Sequence, residues 1–356
     1  MMQKRKIIFM TTLLLVFLVL GAWGCNNQNS QEQEPPVQNE KPEQPPIKKD
    51  KVILQFNWLP TEYPVTYVSL EKGFWAEQNL DVEIIRGYGS ADTAAKIATK
   101  KAEFGMIDMG TLVLSKTNEN LKIKAVANYH TYHPAGVIVR ADSGINSPKD
   151  LEGKKIVTTA SSAYRFFWPA YCKAQGIDES KVELLLVDPV LQEPTFVRGE
   201  ADGWLSDNQN ITVLRSLGIE GKFFPYKSDG KLDRYGDSII VHEDLLVENP
   251  DLVRRFVAGF VKGIKYAVDN PEEAVAIWKK HVPEIDQELF LKIWKDDIAA
   301  SVMISDESRA HGIGWMSEDK VRKTIESVID AYNLEHSIAP EEVYTTEFLP
   351  EEPVYP

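Results

Sequence analysis

The sequence predicts an α/β protein arranged as two lobes, and three observations carry that expectation. Strand-like and helix-like stretches alternate from residue 52 to residue 241, the order that builds sheets flanked by helices. About 300 residues follow a polar N-terminal stretch, enough for two lobes with their own cores. Two strand-like stretches, 136–140 and 238–241, stand where the chain would leave a first lobe and return to it.

The elements follow in order. Val52–Phe56 is apolar and β-branched enough for a first strand, and Pro64–Gln78 reads as a helix opened by its proline. Gly73 then leads to a second strand, Leu80–Ile85. Ala91–Lys100 is a helix, Phe104–Met106 a short strand, Thr111–Asn118 a helix and Ile123–Asn128 a strand. Gly136–Arg140 is the strand expected to leave the first lobe. Ser147–Lys154 is a helical turn feeding the strand Lys155–Thr158. Ala163–Gln175 is helical, Val182–Val187 a strand, Glu193–Arg198 a helix and Ala201–Leu205 a strand. Turns fill 226–237 before the returning strand Ser238–Val241. Residues 250–333 are nearly all helical, broken at Asn270-Pro271 and Val282-Pro283. Phe290, Trp294 and Trp315 are expected to pack the first lobe, with a cleft position for Trp315 and Met316 left open.

The N-terminus has its own logic. Lys4, Arg5 and Lys6 precede an apolar run from Ile7 to Leu20, followed by Gly21-Ala22-Trp23-Gly24-Cys25. A basic start, an apolar run shorter than the roughly 20 residues of a bilayer span, and small residues before a cut make residues 1–24 a signal peptide. The junction before Cys25 resembles the lipobox of bacterial lipoproteins, with Ala22 where Leu is usual. That resemblance implies a lipidated Cys25 as mature N-terminus; the alternative is an ordinary secreted protein with an incidental cysteine. Residues 25–51, rich in Asn, Gln, Glu and Pro, cannot bury enough apolar surface to order themselves and form a tether.

Composition narrows the function classes. The formal charge is −13 and moves to −16 without Lys4, Arg5 and Lys6. So acidic a body disfavours nucleic acid and anionic lipid surfaces as partners. The only cysteines are Cys25 and Cys172. With Cys25 spent on lipid no disulfide is available, and Cys172 in an apolar helical stretch reads as a small buried hydrophobe. No HExxH, CxxC, GxGxxG or Walker-type loop appears.

A series of short motifs then carries a family resemblance. Gln55-Phe56-Asn57-Trp58-Leu59-Pro60, the Lys72-Gly73-Phe74 turn, Asn79-Leu80-Asp81-Val82, Ala102-Glu103-Phe104-Gly105 and Asp108-Met109-Gly110 come first. Ser147-Pro148-Lys149-Asp150-Leu151-Glu152-Gly153-Lys154, Arg198-Gly199-Glu200-Ala201-Asp202, Asn249-Pro250-Asp251-Leu252 and Asn270-Pro271-Glu272-Glu273-Ala274 complete it. In order and spacing, across 52–335, the chain resembles extracytoplasmic solute-binding proteins of ABC importers. The branch is the one named for thiamine-pyrimidine synthesis, which includes sulfonate, taurine and riboflavin binders. The resemblance implies a two-lobe periplasmic-binding-protein-like fold of type II with two hinge crossings. Lobe 1 is 52–138 plus 241–350 and lobe 2 is 142–237. It also implies a small ligand in the cleft, an ABC permease with its ATPase as partner, an extracytoplasmic location on the cell membrane, and no cofactor. A monomer is expected.

Loop position nominates the cleft residues. Asn57 and Trp58 lie past the first strand, with Tyr63 and Tyr67 near the next helix; Trp58 either stacks a ring or packs the lobe. Asp108, Met109 and Gly110 follow the strand near 104–107, Asp108 as ligand contact or as N-cap. Tyr129, His130, Tyr132 and His133 cluster on one loop, without an acid or Cys at metal-ligand spacing. Ser161 and Ser162 precede a helix, as an anion or ring-edge site or a plain N-cap. Tyr164 and Arg165 occupy its first turn, Arg165 being the basic residue expected at the cleft. Asp188, Trp204, Asp207, Tyr235 and Asp237 end strands or flank the second crossing. Many rings, several carboxylates and one Arg favour a flat nitrogen heterocycle, pyrimidine-like or flavin-like. A sulfonate or taurine-type anion is the alternative. A pyrimidine-synthesis enzyme is the rival of another class; its fungal relative on this fold carries a cysteine-rich CCCFC motif that this chain lacks. A sensory or adhesive module that kept the fold is a further rival.

Overall fold

Ten strands form two five-stranded sheets of the same plan in a computed structural model that describes residues 48–60, 64–227 and 234–356 (residues 300 and 301 by backbone alone). The expected signal segment, Cys25, most of the tether, and Tyr63 lie outside the described residues.

The first sheet begins with β1 (Asp50–Gln55), α1 (Pro64–Glu71), β2 (Leu80–Ile85), α2 (Ser90–Ala98), β3 (Phe104–Asp108), α3 (Met109–Glu119) and β4 (Ile123–Asn128). The second contains β5 (Ala135–Arg140), β6 (Lys155–Thr158), α4 (Ala163–Gln175), β7 (Glu183–Leu186), α5 (Gln192–Val197), β8 (Gly203–Asp207), α6 (Asn210–Ser216) and β9 (Gly221–Pro225). The chain then returns through β10 (Asp237–His242) to α7 (Glu243–Glu248), α8 (Pro250–Asp269), α9 (Pro271–His281) and α10 (Gln287–Ile293). A π-helical stretch, Trp294–Met303, continues α10 and leads to α11 (Asp306–His311), α12 (Glu318–Tyr332) and α13 (Pro340–Val343).

Sheet order is β2-β1-β3-β10-β4 in one and β7-β6-β8-β5-β9 in the other. β1 runs parallel to β2 and β3, and β6 parallel to β7 and β8. β10 is antiparallel to β3 and β4, and β5 antiparallel to β8 and β9. In each sheet the antiparallel strand is the first one laid down after the chain arrives from the other. The strands at 136–140 and 238–241 therefore each belong wholly to one sheet, and the crossings are the segments between β4 and β5 and between β9 and β10.

The boundaries that moved have local causes. The first helix ends at Glu71 because Gly73 (φ +74°) turns the chain into a short 3-10 segment, Ala76–Gln78. The strand expected at Ala201–Leu205 lies at Gly203–Asp207; Asp202 instead turns its carboxylate to the Lys155 N–H at 2.8 Å. α6 and β9 carry few buried apolar residues, so the pattern did not announce them.

Two large cores hold the body. Beneath the first sheet Phe104 stacks on Phe256 with centroids 3.6 Å apart, and Trp75 on Phe256 at 5.2 Å. α8 approaches α1 closely because a Cβ at Gly263 would overlap Ser69. Trp294 is buried in this core with Phe290 against it. The other core spans both sheets, joining Ile107, Met109 and Leu112 to Val137, Phe167, Trp168 and Tyr171 through Val321, Ile325 and Val328 of α12. Cys172 is buried there, and burial pushes its thiol well up. Each fully buried side chain of this kind contributes roughly 1.5–3 kcal/mol. No helix among the described residues is long and apolar enough to cross a membrane.

Candidate functional site

A cleft with about 640 Å³ of empty space, continuous with solvent, lies where the ends of β1, β4, β8 and β10 meet the starts of α2 and α4. The first sheet's side supplies Asn57, Trp58, Ser90 and Asp237. The first crossing supplies His130, His133 and Pro134. The second sheet's side supplies Ser162, Ala163, Tyr164, Asp207 and Gln209, and Ile298 and Val302 of the π-helix cover one wall. An adjoining region of about 680 Å³ shares Trp58, Tyr164 and Asp207 and runs out past Pro189, Gln192 and Trp204.

Local chemistry sets each group. Asn57 is the second residue past β1, and its carbonyl accepts from Gly89 N–H at 2.7 Å. Its amide donates to Asp237 Oδ1 at 3.0 Å and to Ser90 Oγ at 3.2 Å. Gly87 permits the tight crossing beneath it, because a Cβ there would overlap the Phe56–Asn57 backbone. Ser162 caps α4 by accepting from Tyr164 N–H at 3.2 Å. Tyr164 Oη donates to Asp207 Oδ1 at 2.6 Å. Thr131 fastens the crossing to the π-helix, donating from N and Oγ1 to the Val302 carbonyl at 2.8 and 2.9 Å.

The electrostatics are unusual for so acidic a protein. Burial pushes Asp237 up to about 7, helped by the nearby Asp108 charge and opposed by the Asn57 amide. Burial also pushes Asp207 up to about 6 against the Tyr164 hydroxyl. Burial holds His130 and His133 down to about 3, so both rings are neutral. Asp108 is the exception. Burial would raise it, but the Arg234 guanidinium, His133 and the Thr111 N–H together hold it below the usual carboxylate range. Arg234 is itself buried, bonded to Asp108 and lying over the Phe167 ring at 3.7 Å. Among the described residues, neither region of the cleft is lined by a Lys or Arg. The site thus offers rings, hydroxyls, amides and two carboxyls that are easily protonated.

Of the residues nominated from sequence, Asn57, Trp58, His133, Ser162, Tyr164, Asp207 and Asp237 line the cleft, and Trp204 lines its outer region. The Trp204 indole donates to Gln192 Oε1 at 2.9 Å. Others sit elsewhere. Asp108 caps α3 through Thr111 N–H at 2.9 Å, and Met109 is core. Gly110 lies against Phe167, where a Cβ would overlap the ring. Tyr67 is core, stacked on His281 at 4.9 Å, and Tyr129 is core, stacked on His130 at 4.3 Å. Tyr235 is buried and donates to Glu307 at 2.5 Å. Ser161 bonds the Tyr88 carbonyl across the mouth of the cleft. Asp188 caps a 3-10 turn and pairs with Arg86 at 3.9 Å. Arg165 donates to the Ala160 carbonyl at 3.1 Å and lines neither region; Arg234, bonded to Asp108, also lines neither. Trp315 stacks on His311 at 4.8 Å and also lines neither. Ser90, Gln192, Ile298, Val302 and Arg234 were not anticipated. Arg234 had a usable signal, a cation three residues before Asp237 in the second crossing.

Comparison with known proteins gives a consistent picture. Residues 61–274 match the family described as NMT1/THI5 like. The riboflavin-binding protein RibY of Chloroflexus aurantiacus is 22% identical, covering 98% of this chain and 99% of its own. The formylaminopyrimidine-binding protein of Halalkalibacterium halodurans is 21% identical, covering 97% and 99%. Among solved structures, the alkanesulfonate-binding protein SsuA of Xanthomonas axonopodis pv. citri, bound to MOPS, superposes with a TM-score of 0.66 at 10% identity. It covers 83% of this chain and 98% of its own, and the shared fold is the expected two-lobe α/β periplasmic-binding fold.

Proposed function

The chain belongs to the NMT1/THI5-like family, and from that premise we propose that it is the extracytoplasmic solute-binding protein of an ABC importer, closing two lobes on a small flat nitrogen heterocycle. The observation that carries this reading is that two carboxyls, the buried Asp237 and the partly buried Asp207, line the cleft with no lining cation among the described residues. Carboxylates accept from amino groups and ring N–H groups, as an aminopyrimidine or a flavin presents them. A sulfonate would meet acceptors and negative charge where it needs donors. The half-buried Trp58 and the Tyr164 ring supply flat apolar faces. The relatives named for riboflavin and formylaminopyrimidine support the same class. The ligand contacts on this reading are Asn57, Trp58, His133, Ser162, Tyr164, Asp207 and Asp237, with Trp204 at the outer end. Binding without turnover fits the single described cysteine, Cys172, being buried with its thiol pushed up and thus no nucleophile.

A lipid on Cys25 would hold this receptor at the membrane beside its permease, raising the local concentration for delivery. Mass spectrometry of the mature N-terminus decides that part. The ligand reading is decided by thermal shift and calorimetry with 4-amino-5-hydroxymethyl-2-methylpyrimidine, riboflavin and an alkanesulfonate. Stabilisation by either heterocycle is expected; stabilisation by the sulfonate alone overturns it.

A further inference from the structure

Behind the cleft, Phe167, Arg234, Asp108 and His133 form one buried chain. Arg234 covers the Phe167 ring and bonds Asp108, and His133 Nε2 lies 3.2 Å from Asp108 Oδ2. An ionised carboxylate only accepts, so Asp108 favours the tautomer that carries the proton on Nε2. The ring is neutral, because it is buried beside the Arg234 cation, and its other nitrogen, Nδ1, is therefore an acceptor. That nitrogen is buried and has no hydrogen-bond partner in the protein, and His133 lines the cleft. The His133 side chain is 6% exposed, and its ring is fixed edge-on to Tyr164 at 5.2 Å. A buried acceptor without a partner is rare in folded proteins and calls for one.

We propose that His133 Nδ1 is the specificity-determining acceptor of the cleft, receiving an N–H or O–H of the bound molecule, with Asp108 and Arg234 as positioning residues that fix its tautomer. The inference rests on the binding role assigned to the cleft and adds which side chain reads a donor there. Thr111 N–H and Arg234 leave Asp108 no freedom to turn away, so an imidazole that exchanged its two nitrogens would set a lone pair against the carboxylate. A ligand of the same shape without the donor leaves Nδ1 unpaired and binds roughly tenfold to a hundredfold more weakly.

The test uses calorimetry on the full protein with 4-amino-5-hydroxymethyl-2-methylpyrimidine and two analogues, one lacking the amino group and one lacking the hydroxyl. Wild type is expected to lose at least tenfold with one analogue. His133→Gln keeps an amide N–H for Asp108 but sets no acceptor in the place of Nδ1. It should lose the same factor with the parent probe and no longer distinguish that analogue. His133→Asn, which sets a carbonyl near that place, should keep part of the discrimination. Nitrogen-15 NMR of the imidazole should show an unprotonated Nδ1 in the free protein that shifts on adding the probe. A protonated Nδ1, or a His133→Gln protein that discriminates as wild type does, overturns the inference while the binding role stands. An unprotonated Nδ1 in a protein that binds the alkanesulfonate and neither the pyrimidine nor riboflavin overturns the proposed function, and the ligand assignment with it.

Discussion

Replacing Asp237 by Asn should make the unliganded protein more stable, and more so as the pH rises. Asp237 is buried and its carboxyl titrates at about 7, against 3.8 as an unperturbed group. A raised folded-state value means that the proton is held more tightly in the native state. The stability it contributes is fully present below the unfolded value and lost as pH rises through about 7. Between pH 5 and pH 8 the wild type loses nearly two pH units' worth of this term, roughly 2.5 kcal/mol at about 1.36 kcal/mol per unit. The asparagine amide has the shape of the protonated acid, keeps a carbonyl for Asn57 Nδ2, and does not titrate. Its advantage should therefore widen by about that amount across the interval, a shift of several degrees in melting temperature. Melting curves of both proteins at pH 5 and pH 8, at one ionic strength, measure it. Comparing the two pH values cancels any constant packing effect of the substitution. An advantage that stays flat or narrows toward pH 8 refutes the reasoning.

Three further outcomes are expected. If the ligand donates to Asp207 and Asp237, binding should release about one proton near pH 6.5, given carboxyls at about 6 and about 7; calorimetry in two buffers of different ionisation enthalpy reads this, and proton uptake would point to an anionic ligand instead. Gly89→Val should weaken binding of the pyrimidine probe at least roughly tenfold and give a more open shape by small-angle scattering, because a Cβ at φ +133° would overlap Ser161 across the mouth; unchanged affinity would remove that contact from the closing motion. Phe256→Ala should cost about 3–5 kcal/mol by denaturant unfolding, since the ring stacks on both Phe104 and Trp75; a loss below about 1 kcal/mol would contradict the central place given to this stack.

What could be read from the residues was what position in the chain determines. Asn57 and Trp58 follow a strand, Ser162 and Tyr164 open a helix and Asp207 ends a strand, so loop position alone brought them to the cleft. Direction of a side chain is a different matter. Tyr67, Tyr129 and Tyr235 sit at equally plausible places, yet each turns into the interior, a choice made by Phe56, Phe260 and Glu307, which are remote or differently oriented in the chain. Arg165 and Arg234 show the same limit: the first has the better local address, in the opening turn of α4, and the second has the buried carboxylate. Ile298 and Val302 reach the cleft because a π-helical stretch widens the turn, and no apolar period announces that.

The plan of the two sheets also fixes an order of assembly. The second sheet takes all five strands from one unbroken stretch, 135–225, whereas the first cannot be completed until β10 is laid between β3 and β4. A chain emerging from its N-terminus therefore carries an unfinished sheet past a finished one. α12, which joins the shared core through Val321, Ile325 and Val328, arrives later still. Hydrogen-exchange protection during refolding should appear in β5–β9 before β4 and β10, because local pairings close shorter loops than the one that spans the inserted lobe.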